Sequence, residues 1–302
     1  MTVEVGRLLT AMITPFKADG SVDHNAAEKL VATLVADGSD GVVVSGTTGE
    51  APSLSDDEKI ELIRTVKKAI PGKSVVAGTG SNDTHHSVKL SERAMNAGAD
   101  ALLAVVPYYN KPPQEGMYQH FKAISEVGPT IMYNIQGRTA VNMTAATTLR
   151  CAELPGILGV KEASGDLDQI GLVCADKPAN FKVWSGDDSW TLAVLGTGGY
   201  GVICVVSHIA GRSMKRLIEA YNKADNETAR KIHLGLLPVI KTLMTTAANP
   251  VPIKSVLNAM GFPAGPFRLP LVPLTDEQLH SVMKTVREAG DLITFKAGVK
   301  VA

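Results

Sequence analysis

Eight short apolar runs, separated by segments of helical spacing, fill the first two-thirds of this 302-residue chain. They are Leu8 to Ile13, Gly41 to Ser45, Ser74 to Ala77, Ala101 to Val106, Thr130 to Tyr133, Ile157 to Val160, Phe181 to Trp184 and Gly201 to Val205. They begin roughly 20 to 33 residues apart, the cadence of a repeated strand-helix unit. Runs that are apolar on both faces belong to parallel sheets covered by helices. Eight such units fit a closed (β/α)8 TIM barrel better than an open doubly wound sheet.

Local signals mark several of the helices. A helix follows Asp23 with apolar residues Leu30, Val31, Leu34 and Val35 and stops before Gly38. Ser55 and Glu58 form a capping box that opens another, closed by Pro71-Gly72. Further helices are expected from about Thr84 to Asn96 and after Pro112-Pro113. From Ser207 onward only helical patterns remain: Met214 to Tyr221, Ala229 to Met244, Pro252 to Met260 and Thr275 to Ala289. The expected organisation is a catalytic barrel over 1–225 and a small helical C-terminal extension over 226–302.

Composition excludes some functions. Thirty Lys and Arg balance thirty Asp and Glu, so no basic excess is available to neutralise phosphates and nucleic acid is not an expected partner. Cys151, Cys174 and Cys204 are widely spaced, which speaks for a reducing compartment and against a disulfide frame. Without a signal-peptide pattern or a long apolar span, the expected location is cytoplasmic, with no membrane partner.

A barrel gathers its chemistry at the C-terminal ends of its strands. Here those ends carry Gly46-Thr47-Thr48-Gly49-Glu50, Gly78-Thr79-Gly80, Pro107-Tyr108-Tyr109-Asn110, Tyr133-Asn134 with Arg138 behind, Lys161, and Ser185-Gly186-Asp187-Asp188. Lys161 stands out because it ends an interior strand, where lysine is rare without a partner or a task. A snorkelling lysine, or one paired with Glu162, is the plainer reading. As a nucleophile it would have to act as the free amine, which a partly desolvated barrel mouth favours. Lys111, on a proline-rich loop, and Lys254, on a helix after Pro252, read as ordinary solvated positions. The Gly46 to Gly49 turn offers successive N–H groups and two hydroxyls, a nest for a small carboxylate or phosphate, or simply a tight turn.

Three other signals carry no function. Gly196-x-Gly198-x-x-Gly201 has dinucleotide-fingerprint spacing but follows a helix and precedes a strand, the reverse of the required order. His85 and His86 are adjacent, with no further ligand at metal spacing, so no metal site is expected. Asp187 and Asp188 read as caps of the following helix.

Taken together, Gly46-Thr47-Thr48-Gly49-Glu50, Pro107 to Pro112, Tyr133-Asn134 with Arg138-Thr139, Gly159 to Ala163, and Ser185 to Asp188 resemble the dihydrodipicolinate synthase family of pyruvate-dependent class I aldolases. The likeness runs along essentially the whole chain. It implies a pyruvate imine on Lys161 with no other cofactor, Tyr133 as acid and base, and a proton relay through Thr47 to Tyr109 of a neighbouring subunit. It further implies that Thr48 holds the pyruvate carboxylate, that Arg138 binds the carboxylate of aspartate semialdehyde, and that Gly186 and Ile203 contribute carbonyls. The assembly implied is a homo-oligomer, at least a dimer, commonly a tetramer built as a dimer of dimers. Arg138 separates such synthases from sugar-acid and N-acetylneuraminate lyases. Another pyruvate aldolase, and a keto-acid-binding sensor without turnover, are the alternative readings. Gln136 departs from the proline usual in the family, a change that loosens the Arg138 loop. The family's lysine-effector site would map to Asn82, His86, Tyr108 and Lys59. A cation at Lys59 and no carboxylate at His86 should disfavour a cationic effector, so weak or absent lysine feedback is expected.

Overall fold

The computed structural model describes residues 3–296. Its strands are β1 (Leu8–Ala11), β2 (Gly41–Val44), β3 (Ser74–Gly78), β4 (Ala101–Val105), β5 (Thr130–Asn134), β6 (Ile157–Glu162), β7 (Lys182–Ser185) and β8 (Gly201–Cys204). Each pairs in parallel with the next and β8 pairs with β1, closing the barrel. The final six residues of the chain, part of the tail Phe295 to Ala302, lie outside the described residues.

Strand alternation builds two cores from these runs. Leu9, Val43, Val76, Leu103, Ile131, Trp184 and Ile203 fill the barrel interior. Leu8, Val42, Val44, Val75, Ala77, Leu102 and Val160 face outward against the helices. Side-chain caps set the helix starts. Asp23 accepts from Ala26 N, Asp83 from His86 N, and Ser55 with Glu58 completes the capping box. Gly159 is required by packing: a Cβ there would lie 1.9 Å from Lys182 O on β7.

Past the barrel, three long helices follow at Asn226–Thr245, Val251–Ala259 and Asp276–Glu288. The helix expected from Met214 begins earlier: a short helical segment leaves β8 at Ser207, kinks at Ala210 (φ −135°) and continues to Asn222. The second of the three long helices corrects a sequence reading. Lys254 is fully buried rather than solvated, because Glu50 awaits it at 2.7 Å and Thr14 O at 2.9 Å. No helix among the described residues is long and apolar enough to cross a membrane.

Candidate active site

At the C-terminal rim the ladder of backbone hydrogen bonds continues past the strands. Val106 N donates to Tyr133 O at 2.9 Å, Ala163 N to Asn134 O at 2.8 Å and Gly186 N to Glu162 O at 2.7 Å. This fixes the loops that carry the polar side chains. Tyr133, Lys161 and Trp184 are register partners across β5, β6 and β7, so their side chains share one face of the sheet. That face is the interior, and the Lys161 ammonium sits 4.2 Å from the centroid of the Tyr133 ring. Lys161 is only 6% exposed. Among the described residues no ion pair holds it, and the Glu162 carboxylate is taken up by Asn134, Ser164 and Gln169 instead.

Glu162, the next residue, points the other way, as pleating requires. Its carboxylate accepts from Asn134 Nδ2 at 3.1 Å, Ser164 N at 2.9 Å and Gln169 Nε2 at 3.4 Å. Asn134 and Gln169 also bond to Asn142, tying this buried cluster to the far end of the Arg138 loop. Burial pushes the Glu162 carboxyl above its usual range, and the hydrogen bonds from Ser164, Asn134 and Gln169 oppose it.

After β2, Ser45 and Glu50 take left-handed backbone conformations (φ 56° and 57°) around a 3-10 turn over Thr47–Gly49. As the first residues of that turn, Thr47 and Thr48 have N–H groups with no partner inside it, the arrangement of an anion nest. Thr14 Oγ1 donates to Gly49 O at 2.6 Å from the β1 side, and Asn249 Nδ2 donates to Thr48 Oγ1 at 2.9 Å from the C-terminal helices.

Arg138 lies on a single helical turn, Gln136–Thr139, directly after β5. Gln136 occupies the first position of that turn, where proline is favoured but not needed because the N–H there has no helical partner. The loop is held instead by Thr139 Oγ1, which lies 2.9 Å from Ile135 O and 3.0 Å from Val141 O and shares its one proton between them. The Arg138 guanidinium donates to Asn249 O at 3.3 Å.

Thr47, Thr48, Tyr133, Arg138, Lys161 and Gly186 line one cavity of about 580 Å3. Two of the expected residues do not line it. Tyr109 is 89% exposed, with a left-handed backbone (φ 71°) that carries it away from its own barrel. Ile203 packs inside β8. A neighbouring cavity of about 450 Å3 shares Thr47, Tyr133 and Arg138 and contains Lys59, His86 and Tyr108. Asn82 does not line it; its carbonyl accepts from the Asn110 side chain at 2.8 Å. Behind two of its lining residues stands Asp56, a carboxylate that sequence reasoning overlooked, 2.8 Å from His86 Nε2 and 3.4 Å from Lys59 Nζ.

The two aspartates after Gly186 have separate roles. Asp187 caps a short turn, accepting from Ser189 N. Asp188 is buried and accepts from Val205 N at 3.0 Å and Val206 N at 2.6 Å, which ties β7 to the end of β8. Burial raises its carboxyl to about 6 against the pull of those N–H donors. Among the described residues no group of three His, Cys, Asp or Glu could hold a metal ion. Glu50, Asn249 and Lys254 were missed as a set. A lysine inside the apolar helical run Val251 to Leu257 was the available signal.

Residues 4–289 match the Dihydrodipicolinate synthetase family. The 4-hydroxy-tetrahydrodipicolinate synthase of Moorella thermoacetica is 52% identical over 288 residues, 94% of this chain and 98% of that protein. The crystal structure of DHDPS from Cyanidioschyzon merolae with lysine bound superposes with a TM-score of 0.92 at 41% identity, covering 95% of this chain and 98% of that one. The chloride-inhibited dihydrodipicolinate synthase from Acinetobacter baumannii complexed with pyruvate gives a TM-score of 0.92 at 35% identity, covering 95% and 99%.

Proposed function

The chain belongs to the dihydrodipicolinate synthetase family, and from that membership we infer that it condenses pyruvate with aspartate 4-semialdehyde to 4-hydroxy-tetrahydrodipicolinate. The observation that carries the reading is Lys161: a buried lysine with no ion-pair partner among the described residues, set against a tyrosine at the mouth of a closed barrel.

The Lys161 amine attacks the keto carbon of pyruvate and water leaves, giving the imine. Tyr133 delivers and removes the protons at that carbon, and Thr47 passes them to Tyr109 of a neighbouring subunit. Thr48 and the N–H groups of its turn hold the pyruvate carboxylate. Loss of a methyl proton yields the enamine, whose carbon adds to the aldehyde while Arg138 grips the second carboxylate; a guanidinium fork matches a carboxylate in geometry and charge. The substrate amine then displaces Lys161 from the imine and closes the ring. Gly186 supplies a carbonyl at the cavity wall; Ile203, which does not line the cavity, is given no contact with substrate. The exposure of Tyr109 supports a subunit-crossing role, and with it a homodimer or a tetramer formed as a dimer of dimers. On this reading the chain divides at residue 225 into a catalytic barrel and a helical extension that braces it.

A two-substrate assay tests the assignment. Pyruvate should be consumed with aspartate 4-semialdehyde and not with sugar-acid aldehydes. Arg138→Ala should raise the KM for the semialdehyde by about a hundredfold, the size expected for a lost bidentate charged pair. Turnover of sugar-acid aldehydes at comparable rates, or an Arg138→Ala enzyme with unchanged KM, would overturn it.

A further inference from the structure

Asn249 belongs to none of the barrel strands, yet it lines the same cavity as Lys161. It sits between the helices Asn226–Thr245 and Val251–Ala259. Its Nδ2 donates to Thr48 Oγ1 at 2.9 Å, and its backbone carbonyl accepts from Arg138 at 3.3 Å. Its own Oδ1 is buried with no hydrogen-bond partner among the described residues. The loop that carries it is anchored at a second point. Lys254, one helical turn further on, is fully buried and pairs at 2.7 Å with Glu50, which ends the Thr47–Gly49 turn. The turn is therefore clamped twice from the C-terminal helices, at Thr48 and at Glu50.

We propose that Asn249 is a positioning residue that sets the direction of the Thr48 hydroxyl. A hydroxyl carries one proton and two acceptor lone pairs. When an amide N–H occupies one lone pair, the O–H is turned away from that amide and is free to donate to a carboxylate in the cavity. The carbonyl of the same residue holds the guanidinium for the second carboxylate, so one residue sets the two anion subsites in register. This inference rests on the roles given above to Thr48 and Arg138. A residue that merely filled the loop would change stability without changing pyruvate affinity through Thr48.

The test is borohydride trapping of the Lys161 adduct over a pyruvate titration, using the full-length protein as wild type, Asn249→Ala, Thr48→Val and the double variant. Half-saturating pyruvate should rise about tenfold in each single variant, the scale of one charge-assisted hydrogen bond. The double variant should be no worse than Thr48→Val, because Asn249 acts through that hydroxyl. Unchanged half-saturation in Asn249→Ala overturns the proposal, and so does a double variant whose losses multiply to about a hundredfold. If Asn249→Ala does not fold, Asn249→Ser keeps a small polar side chain that cannot reach Thr48 and must show the same rise. Absence of any adduct in the wild type would instead remove the Schiff-base reading on which the inference rests.

Discussion

Replacing Lys254 with methionine tests how strongly the C-terminal helices are pinned to the barrel. The ammonium is fully buried, donates to Glu50 Oε1 at 2.7 Å and to Thr14 O at 2.9 Å, and lies 4.2 Å from the centroid of the Phe16 ring. Burial lowers the pKa of Lys254 from its usual value, and the hydrogen bond and charge of Glu50 oppose that shift. Lys254→Met removes one member of the pair and leaves the Glu50 carboxylate buried. Breaking a buried pair in this way costs about 3 to 5 kcal/mol. Arg268 N remains on Glu50 at 3.2 Å, which favours the lower end. Adding about 1 kcal/mol for the abandoned Thr14 carbonyl gives a loss of about 4 kcal/mol. At about 2 °C per kcal/mol for a chain of this size, Tm should fall by about 8 °C at a fixed scan rate. Glu50→Gln/Lys254→Met should recover much of that loss, since a pair removed together leaves no stranded charge. A Lys254→Met protein within about 2 °C of wild type, or a double variant at the sum of the two single losses, would refute the reasoning.

Three further outcomes follow from particular side chains. His208 and His120 are held near 4 by burial, below their ordinary 6.5, so each stays neutral when folded and takes up its proton on unfolding. Their contribution is fully present above pH 6.5 and is lost as pH falls toward 4, about 3 kcal/mol for each. Asp188, raised to about 6, acts in the opposite sense: its folded form binds the proton more tightly, which adds stability as pH falls through 6 toward 3.8. Urea midpoints should therefore drop between pH 6.5 and 4, and drop more steeply in Asp188→Asn; a flat profile contradicts this. If Tyr109 completes a neighbour's site, mixed oligomers of Tyr109→Phe and Lys161→Ala should be more active than either parent, because one composite site then holds both intact groups. Activity no higher than that of the parents would place Tyr109 outside the relay. Lysine should leave turnover unchanged at sub-millimolar concentration, because the Asp56 carboxylate beside Lys59 and His86 already bonds to both. Sub-millimolar inhibition would contradict this.

The barrel was legible because its strands are buried on both faces and recur at a steady interval, a pattern that needs no tertiary information. The site was legible as far as strand ends define it: Tyr133 and Lys161 lie at the ends of β5 and β6, and Thr47, Thr48 and Gly186 come just after β2 and β7. What joins those residues to distant chain was not. Lys254 looked solvated because a helix after a proline is usually a surface helix, and its partner lies 204 residues away. Asn249 gave no sequence signal of its contact, since nothing local says that its amide reaches Thr48. Asp188 looked like a helix cap, yet its acceptors serve Val205 N and Val206 N at the end of β8. Gln136 suggested a loose loop, where the chain instead forms a helical turn held by the Thr139 hydroxyl.

The central claim, that Lys161 is the nucleophile, is tested most directly by one measurement. The protein is incubated with pyruvate, reduced with borohydride, digested and mapped by peptide mass. The peptide containing Lys161 should carry the reduced pyruvate adduct stoichiometrically, and those containing Lys111 and Lys254 should be unmodified. A bare Lys161, or an adduct on another lysine alone, would contradict it.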